Sequence, residues 1–173
     1  MTWSVHTVAE ENVSATLTVA VPAARVFAVL ADPTTHSAID GTGWVQEAAD
    51  RAPLTKVGQI FRMDMYHPNH PTREYQMANK VQVLDPPRAI GWLPGTQQDD
   101  GQLAFGGWIW RYDLAPVGPS ETEVTLTYDW SAVPQSVRER IPFPPFGPEH
   151  LTNSLRHLAE LAAPASLAWA PGG

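Results

Sequence analysis

The stretches FGGWIWRYDL at positions 105–114 and EVTLTYDW at positions 123–130 both alternate with period two, the side-chain period of a β-strand. This pattern predicts two antiparallel strands with one dry and one wet face, joined as a hairpin through turn residues 115–120. The predicted dry faces carry Trp108, Trp110, Tyr112 and Leu114 in the first strand and Val124, Leu126, Tyr128 and Trp130 in the second. The opposite faces carry Arg111 and Asp113 in the first stretch and Thr125, Thr127 and Asp129 in the second.

The composition is that of a globular protein with one sizeable core. The chain has 173 residues, of which 43% are hydrophobic and 17% charged. We expect one domain at 1–163 and a flexible tail at 164–173. The net charge of -7, with no lysine or arginine cluster, argues against nucleic acid as a partner. The chain contains no cysteine, which excludes disulfides and thiolate catalysis.

Hydropathy along the chain indicates neither a signal peptide nor an apolar run long enough to span a bilayer. We therefore expect a cytoplasmic protein without stable membrane insertion.

Other segments predict a strand at 14–21, a helix at 23–31 and a second short helix that Asp32 and Pro33 begin. Further strands are predicted at 44–50, 59–67, 73–84 and 89–93. The segment 148–163 has the apolar period of a helix. An antiparallel sheet must cover its dry face, and this helix is the long element that remains. The predicted fold is α+β: about seven strands curved around a C-terminal helix, whose apolar stripe is Leu151, Leu155, Leu158 and Ala162.

From Val13 to Ala163 the chain resembles the START-like or Bet v 1-like superfamily (SRPBCC) of helix-grip proteins, and within it the bacterial polyketide cyclase/dehydratase and lipid-transport group. The resemblance rests on the strand–proline–helix opening at 16–33, on VGQIF at 57–61 and on TEVTLTY at 122–128. It implies a cavity between sheet and final helix that holds a hydrophobic ligand or a substrate. No catalytic motif carries over residue by residue, so the catalytic residues are unknown.

The side chains expected to line such a cavity combine bulky aromatic rings, deformable methionines and a few polar tips. A solid core is the alternative for the aromatic stripe. Asn79, a polar residue among inward positions, needs a ligand, a water or another side chain as its partner. The candidate ligand-binding residues are Met63, Met65, Tyr75, Met77, Asn79, Trp92, Trp108, Trp110, Tyr112, Tyr128, Phe143 and Phe146.

Two histidine-containing stretches are candidates for a metal site or a catalytic site. His67 and His70 form an H-x-x-H pair, but no further ligands lie nearby, so we expect an exposed hairpin loop and no metal. His36, Ser37 and Asp40 are close in sequence, but a catalytic triad needs spatial geometry, so capping and a turn are expected. No cofactor is expected.

The preferred function is binding of a small hydrophobic molecule such as a lipid, a polyketide or an aromatic metabolite. A polyketide cyclase or dehydratase using the same cavity is one alternative, with Tyr112, Tyr128, Asn79 and His67 as residues to test first. A non-catalytic interaction module is another. Whether the chain is an enzyme, and its oligomeric state, are left open. Phe143 and Phe146, in a proline-rich segment, could gate the cavity or staple the segment to the surface.

Overall fold

The computed structural model describes residues 11–164. Of the predicted flexible tail, only Pro164 lies inside this range, and both the tail and the domain bounds stay predictions. Within the range the strands are β1 (Asn12–Val19), β2 (Val45–Ala48), β3 (Ile60–Tyr66), β4 (Glu74–Asp85), β5 (Ala89–Leu93), β6 (Gly95–Gln97), β7 (Leu103–Phe105), β8 (Ile109–Gly118) and β9 (Glu121–Asp129). The helices are α1 (Ala23–Leu30), α2 (His36–Ile39), α3 (Gln135–Arg138) and α4 (His150–Ala162), with a 3-10 turn at Pro33–Thr35.

Seven strands form one sheet in the order β1-β9-β8-β5-β4-β3-β2, and every neighbouring pair is antiparallel. The alternation predicted for the last strand is observed: Val124, Leu126 and Tyr128 are buried. The predicted α+β helix-grip architecture is confirmed, with α1 and α2 as the short helices after the first strand.

Helix α4 packs against β1 and β9 of the sheet and against α1 and α2. Its buried stripe is the predicted one, because Leu151, Leu155 and Leu158 are almost completely inaccessible to solvent. Arg25 of α1 donates from Nε to the carbonyl oxygen of Ala162 at 2.5 Å. A cation at a helix C-terminus satisfies carbonyl groups that have no partner within the helix.

Asp32 caps the 3-10 turn before α2, as predicted, by accepting a hydrogen bond from the backbone N–H of Thr34 at 3.0 Å. None of the helices between residues 11 and 164 has the combined length and apolar character of a membrane span.

The hairpin between β8 and β9 is tighter than predicted. Residues 115–118 continue β8 instead of forming the turn, and pairing reaches Gly118 opposite Glu121. The pairing register shifts between Pro116 and Gly118. A proline lacks the N–H of a regular ladder and is tolerated at such an irregularity, so Pro116 did not end the strand.

The strand predicted at 105–114 is divided. Phe105 ends β7, which pairs with β6 in a separate two-stranded ribbon, and β8 begins only at Ile109. Gly107 causes the break: its φ is 102°, and a Cβ there would lie 2.6 Å from the carbonyl oxygen of Ala132. The chain turns at a position that glycine occupies without strain. The ribbon and the short helix α3 were not predicted.

Candidate functional site

A cavity of about 850 Å³ lies between the inward face of the sheet, helices α2 and α4, and the loop that precedes α4. Its size is within the range of about 300–1,000 Å³ common for small-molecule sites. The inward positions of five strands, β3, β4, β5, β8 and β9, supply much of its wall. The aromatic stripe therefore surrounds open space where a solid core would fill it.

All twelve candidate ligand-binding residues contribute to this wall. The period of two explains why the strand residues were found, because alternate side chains of neighbouring strands point to the same face. Their role in binding stays a prediction. They are Met63, Met65, Tyr75, Met77, Asn79, Trp92, Trp108, Trp110, Tyr112, Tyr128, Phe143 and Phe146.

Aromatic rings from the sheet, the loop and α4 meet on one side of the cavity. The ring of Trp110 lies 4.6 Å from that of Tyr128 and 5.6 Å from that of Phe146, between centroids. Phe146 also packs edge-on against His150 at 4.8 Å. Offset and edge-to-face contacts of this kind add stability beyond their buried area.

On another part of the wall, His36 stacks on Trp92 with the ring centroids 4.9 Å apart, and Phe61 packs edge-on against both rings. The Nε2 atom of His36 lies 2.9 Å from the carbonyl oxygen of Leu30. A carbonyl only accepts, so Nε2 carries the proton and donates it. Burial lowers the pKa of His36, although the Leu30 bond and Asp32 oppose this effect. The ring is therefore neutral near pH 7.

Asn79, Tyr112 and Tyr128 are buried, line the cavity, and have no side-chain hydrogen bond within residues 11–164. Among the described side chains, His150 Nδ1 is the one fully enclosed polar atom without a partner. The polar atoms of Asn79 and of the two tyrosines are thus open to the cavity. Burial raises the pKa of both phenols, and for Tyr112 the charge of Asp40 acts in the same direction. Both hydroxyls stay protonated.

Asp40 is the acidic residue of the cavity wall in the described part of the chain. Its carboxylate accepts hydrogen bonds from the backbone N–H of Thr42 at 3.1 Å and of Val45 at 3.1 Å. The Thr42 hydroxyl donates to it as well. The predicted turn is therefore observed, whereas α2 has no side-chain cap, and a catalytic triad gains no support from these contacts.

The His67 and His70 pair forms the loop between β3 and β4, as predicted, but both rings are half-buried at the cavity rim rather than exposed. His67 packs on Trp44 at 4.6 Å, and His70 stacks on Tyr75 at 4.2 Å. The Nδ1 atoms accept backbone N–H bonds of the loop itself. Among residues 11–164, no group of three or more potential metal ligands is brought together.

Sequence reasoning missed several wall residues. His150 and Ser154 lie one turn apart beside the leucine stripe of α4, a spacing that could have indicated a second inward face. Burial lowers the pKa of His150, and Asp40 opposes this effect. Nothing in the sequence pattern indicated that His36 and Trp44 line the cavity, because only the tertiary fold brings α2 and β2 to it.

Phe143 and Phe146 cover one side of the cavity from the loop before α4. Phe143 lies 6.0 Å from Trp108 and 6.3 Å from Trp130, between ring centroids. Pro144 and Pro145 stand between the two phenylalanines and restrict the loop, which lowers the entropy cost of holding the rings in place. The placement is compatible with a gate and with a staple.

The gate interpretation predicts that the double variant Phe143→Ala/Phe146→Ala releases a bound ligand severalfold faster while the protein still unfolds cooperatively. Stopped-flow release of N-phenyl-1-naphthylamine measures the rate. Val117→Ala, at an exposed position on the β8–β9 hairpin, is the control and should leave the rate unchanged. An unchanged rate in a folded double variant would show that the two rings only hold the loop against the wall.

The chain has similarity to curated proteins and to solved structures. It is 30% identical over 132 residues to the uncharacterised protein Rv0088 of Mycobacterium tuberculosis (strain ATCC 25618 / H37Rv), which is 76% of this chain and 53% of that protein. Uncharacterised protein MT0096 of Mycobacterium tuberculosis (strain CDC 1551 / Oshkosh) matches over the same extent. The chain thus spans about half the length of the curated relatives that it matches.

Three solved structures illustrate the likeness in fold. Protein Ms6760 from Mycobacterium smegmatis has a TM-score of 0.62 at 15% identity, covering 87% of this chain and 90% of that one. The Zhui aromatase/cyclase from Streptomyces sp. R1128 has a TM-score of 0.59 at 18% identity, with 94% and 98% covered. Ginseng major latex-like protein 151 has a TM-score of 0.59 at 12% identity, with 88% and 97% covered. These identities support the fold alone.

The superfamily resemblance drawn from the sequence is confirmed by the family comparison. Residues 20–162 match the profile described as Activator of Hsp90 ATPase homolog 1-like protein, a family within the START-like and Bet v 1-like group. The match includes every element from α1 to the end of α4. The chain therefore belongs to the Activator of Hsp90 ATPase homolog 1-like family.

Proposed function

We propose that this protein binds a small, largely apolar molecule in the cavity between the sheet and α4. The observation that carries this proposal is a cavity of about 850 Å³ at a place where the aromatic stripe would otherwise form a solid core. Tryptophan, tyrosine and phenylalanine rings surround this space together with three methionines. A wall of this composition suits an apolar ligand with a few polar groups.

Burial of apolar area supplies the affinity in this proposal, at about 25 cal/mol per Å² before the cost of association. Met63 and Met77 are directly opposite each other on β3 and β4, and Met65 follows on the same face. Methionine side chains adapt their shape to the group that they contact. The three residues together would let the cavity accept ligands of more than one shape.

The comparisons are compatible with this function without naming a ligand. The Zhui aromatase/cyclase shares the fold of this chain. A cyclase or dehydratase reaction is the second candidate, and it requires a proton-transferring group beside the substrate. His150 favours it, because its imidazole lies on the cavity wall, where burial lowers its pKa and the charge of Asp40 opposes that effect.

The interaction-module alternative would be favoured by a filled interior and a contiguous apolar surface. In the described part of the chain the large exposed apolar side chains belong to separate elements, such as Val57 before β3, Val117 on β8 and Leu161 on α4. The cavity therefore supports the binding function better than it supports this alternative.

Trp108→Ala tests the proposal. Loss of about 50 Å² of apolar contact at ~25 cal/mol per Å² is about 1.3 kcal/mol, which weakens binding close to tenfold. Arg111→Ala is the matched control, since Arg111 lies on the outer face of β8 and pairs there with Asp113 at 3.0 Å. Fluorescence titration with N-phenyl-1-naphthylamine gives both dissociation constants. Equal effects of the two variants, or no binding by the parent protein, would contradict the proposal.

A further inference from the structure

Three polar side chains of the cavity wall are grouped around Trp92. They are His36 of α2, Asn79 of β4 and Tyr112 of β8, and we call them the inner polar group. Each is more than nine-tenths buried, with 8%, 7% and 5% of its surface exposed, respectively. The histidines of the rim, by contrast, are only half-buried. A ligand group that reaches the inner polar group would thus be largely removed from water.

The pairing of the strands brings the group together. Asn79 stands opposite Phe61 in the β3–β4 ladder, and the Phe61 ring lies 5.7 Å from that of Trp92. His36 stacks on the same indole at 4.9 Å, and the ring of Tyr112 lies 6.2 Å from it. The three polar side chains therefore border one region of the wall, in which Trp92 lines the cavity and Phe61 supports the indole from the side.

The hydrogen-bonding capacity of this region is unused by the described residues. His36 donates from Nε2 to Leu30, so in the neutral ring Nδ1 is an acceptor, and His36 lines the cavity. Within residues 11–164 the side-chain amide of Asn79 and the hydroxyl of Tyr112 have no partner, and both are open to the cavity. Together they offer donors and acceptors. Burying a polar group without a hydrogen-bond partner costs free energy. This arrangement therefore matches a ligand that itself has a polar group.

The charges of the wall restrict what that ligand group can be. Asp40 contributes a negative charge, and Arg140, the one lysine or arginine among the lining residues of the described chain, lies in the exposed segment after α3. The neutral state of His36 leaves the inner polar group without a cation. A carboxylate placed there would lose its hydration without gaining a counter-charge.

We propose that the inner polar group recognises a neutral oxygen-bearing group of the ligand, a hydroxyl or a carbonyl attached to an apolar body, and discriminates against carboxylates. This inference rests on the proposed binding function and deepens it by naming the chemical class of ligand. Asn79 donates to the ligand oxygen, Tyr112 donates or accepts, and His36 Nδ1 accepts from a hydroxyl. The ring of Trp92 contacts the adjoining apolar part.

Displacement of N-phenyl-1-naphthylamine by naphthalene, 2-naphthol and 2-naphthoate tests this selectivity, because the three competitors share one ring system. A hydrogen bond has a net worth of about 1 kcal/mol, so 2-naphthol is expected to bind roughly three- to tenfold more tightly than naphthalene. 2-Naphthoate is expected to bind more weakly than either. Asn79→Leu and Tyr112→Phe should each reduce the ratio of the affinity for 2-naphthol to the affinity for naphthalene.

The outcomes separate the two proposals. If naphthalene and 2-naphthol bind equally to the parent protein, or if both variants keep the full preference, the inner polar group does not select the ligand although the cavity still binds apolar molecules. Tighter binding of 2-naphthoate would also overturn the selectivity and would point to Arg140 at the exposed segment. If neither N-phenyl-1-naphthylamine nor naphthalene binds, the binding function itself fails. Circular dichroism of each variant confirms that it is folded.

Discussion

Leu158→Ala is expected to lower the free energy of unfolding by about 3 kcal/mol, within the ~2–5 kcal/mol range of large-to-small substitutions in protein cores. Leu158 lies in the middle of the apolar stripe of α4 and has 0% of its surface exposed. Alanine would remove apolar contacts and leave a space that the surrounding sheet and helices only partly close. Urea denaturation followed by circular dichroism measures the change.

Leu161→Ala is a matched control for this variant, because the two leucines share one helix and one side-chain chemistry. Leu161 is 39% exposed, so its replacement is expected to change the unfolding free energy by less than about 1 kcal/mol. The difference between the variants then reports burial and not helix propensity. Equal losses would mean that the stripe of α4 does not face the core.

Gly107→Ala is expected to cost about 3 kcal/mol, the sum of two separate effects. The φ of Gly107 is 102°, and a side chain in a left-handed conformation of this kind costs roughly 1–2 kcal/mol. The added Cβ would also lie 2.6 Å from the carbonyl oxygen of Ala132, and overpacking against backbone costs about 1–3 kcal/mol. Because Gly107 precedes Trp108, ligand affinity should fall as well.

Two other glycines separate these effects. Gly43 has a φ of 85° but nothing within 4 Å of a Cβ, so Gly43→Ala should show the conformational cost alone. Gly118 has neither a positive φ nor a neighbour within 4 Å, and Gly118→Ala should be neutral within about 0.5 kcal/mol. Thermal and urea unfolding should show that Gly107→Ala destabilises the protein most, Gly43→Ala less and Gly118→Ala least. A Gly107→Ala protein as stable as the Gly43→Ala protein would contradict the predicted clash.

The strands and the last helix could be predicted because their side chains repeat with a fixed period over many residues. Val124, Leu126 and Tyr128 are buried because alternate side chains of a strand point to the same face, as their spacing predicted. Strands of three residues, such as β6 and β7, are too short to show a period, so the ribbon was missed. The end of β8 was placed too early because Pro116 and Gly118 are typical of turns, and local sequence does not show that the neighbouring strand continues to pair.

The wall of the cavity was predictable where it belongs to the sheet and unpredictable where helices supply it. Met63, Met77 and Tyr112 follow directly from strand alternation. His36 was assigned to a capped turn because its nearness in sequence to Ser37 and Asp40 does not supply the geometry of a catalytic triad. Its stacking on Trp92 joins residues far apart in the chain, and only the packing of α2 against the sheet produces this contact.

The position of β1 beside β9 has a consequence for how this chain acquires its structure during synthesis. Asn12 pairs with Asp129 and Val19 with Thr122. The hydrogen bonds between β1 and β9 can therefore form only after β9 has been synthesised. Non-local pairing of this kind slows folding, because the entropy of closing a long loop is lost before the contacts are gained. Until residue 129 has left the ribosome, the nascent sheet exposes the edge of β8 that β9 will cover. An unpaired strand edge can pair with another chain, so aggregation is expected mainly before β9 is added.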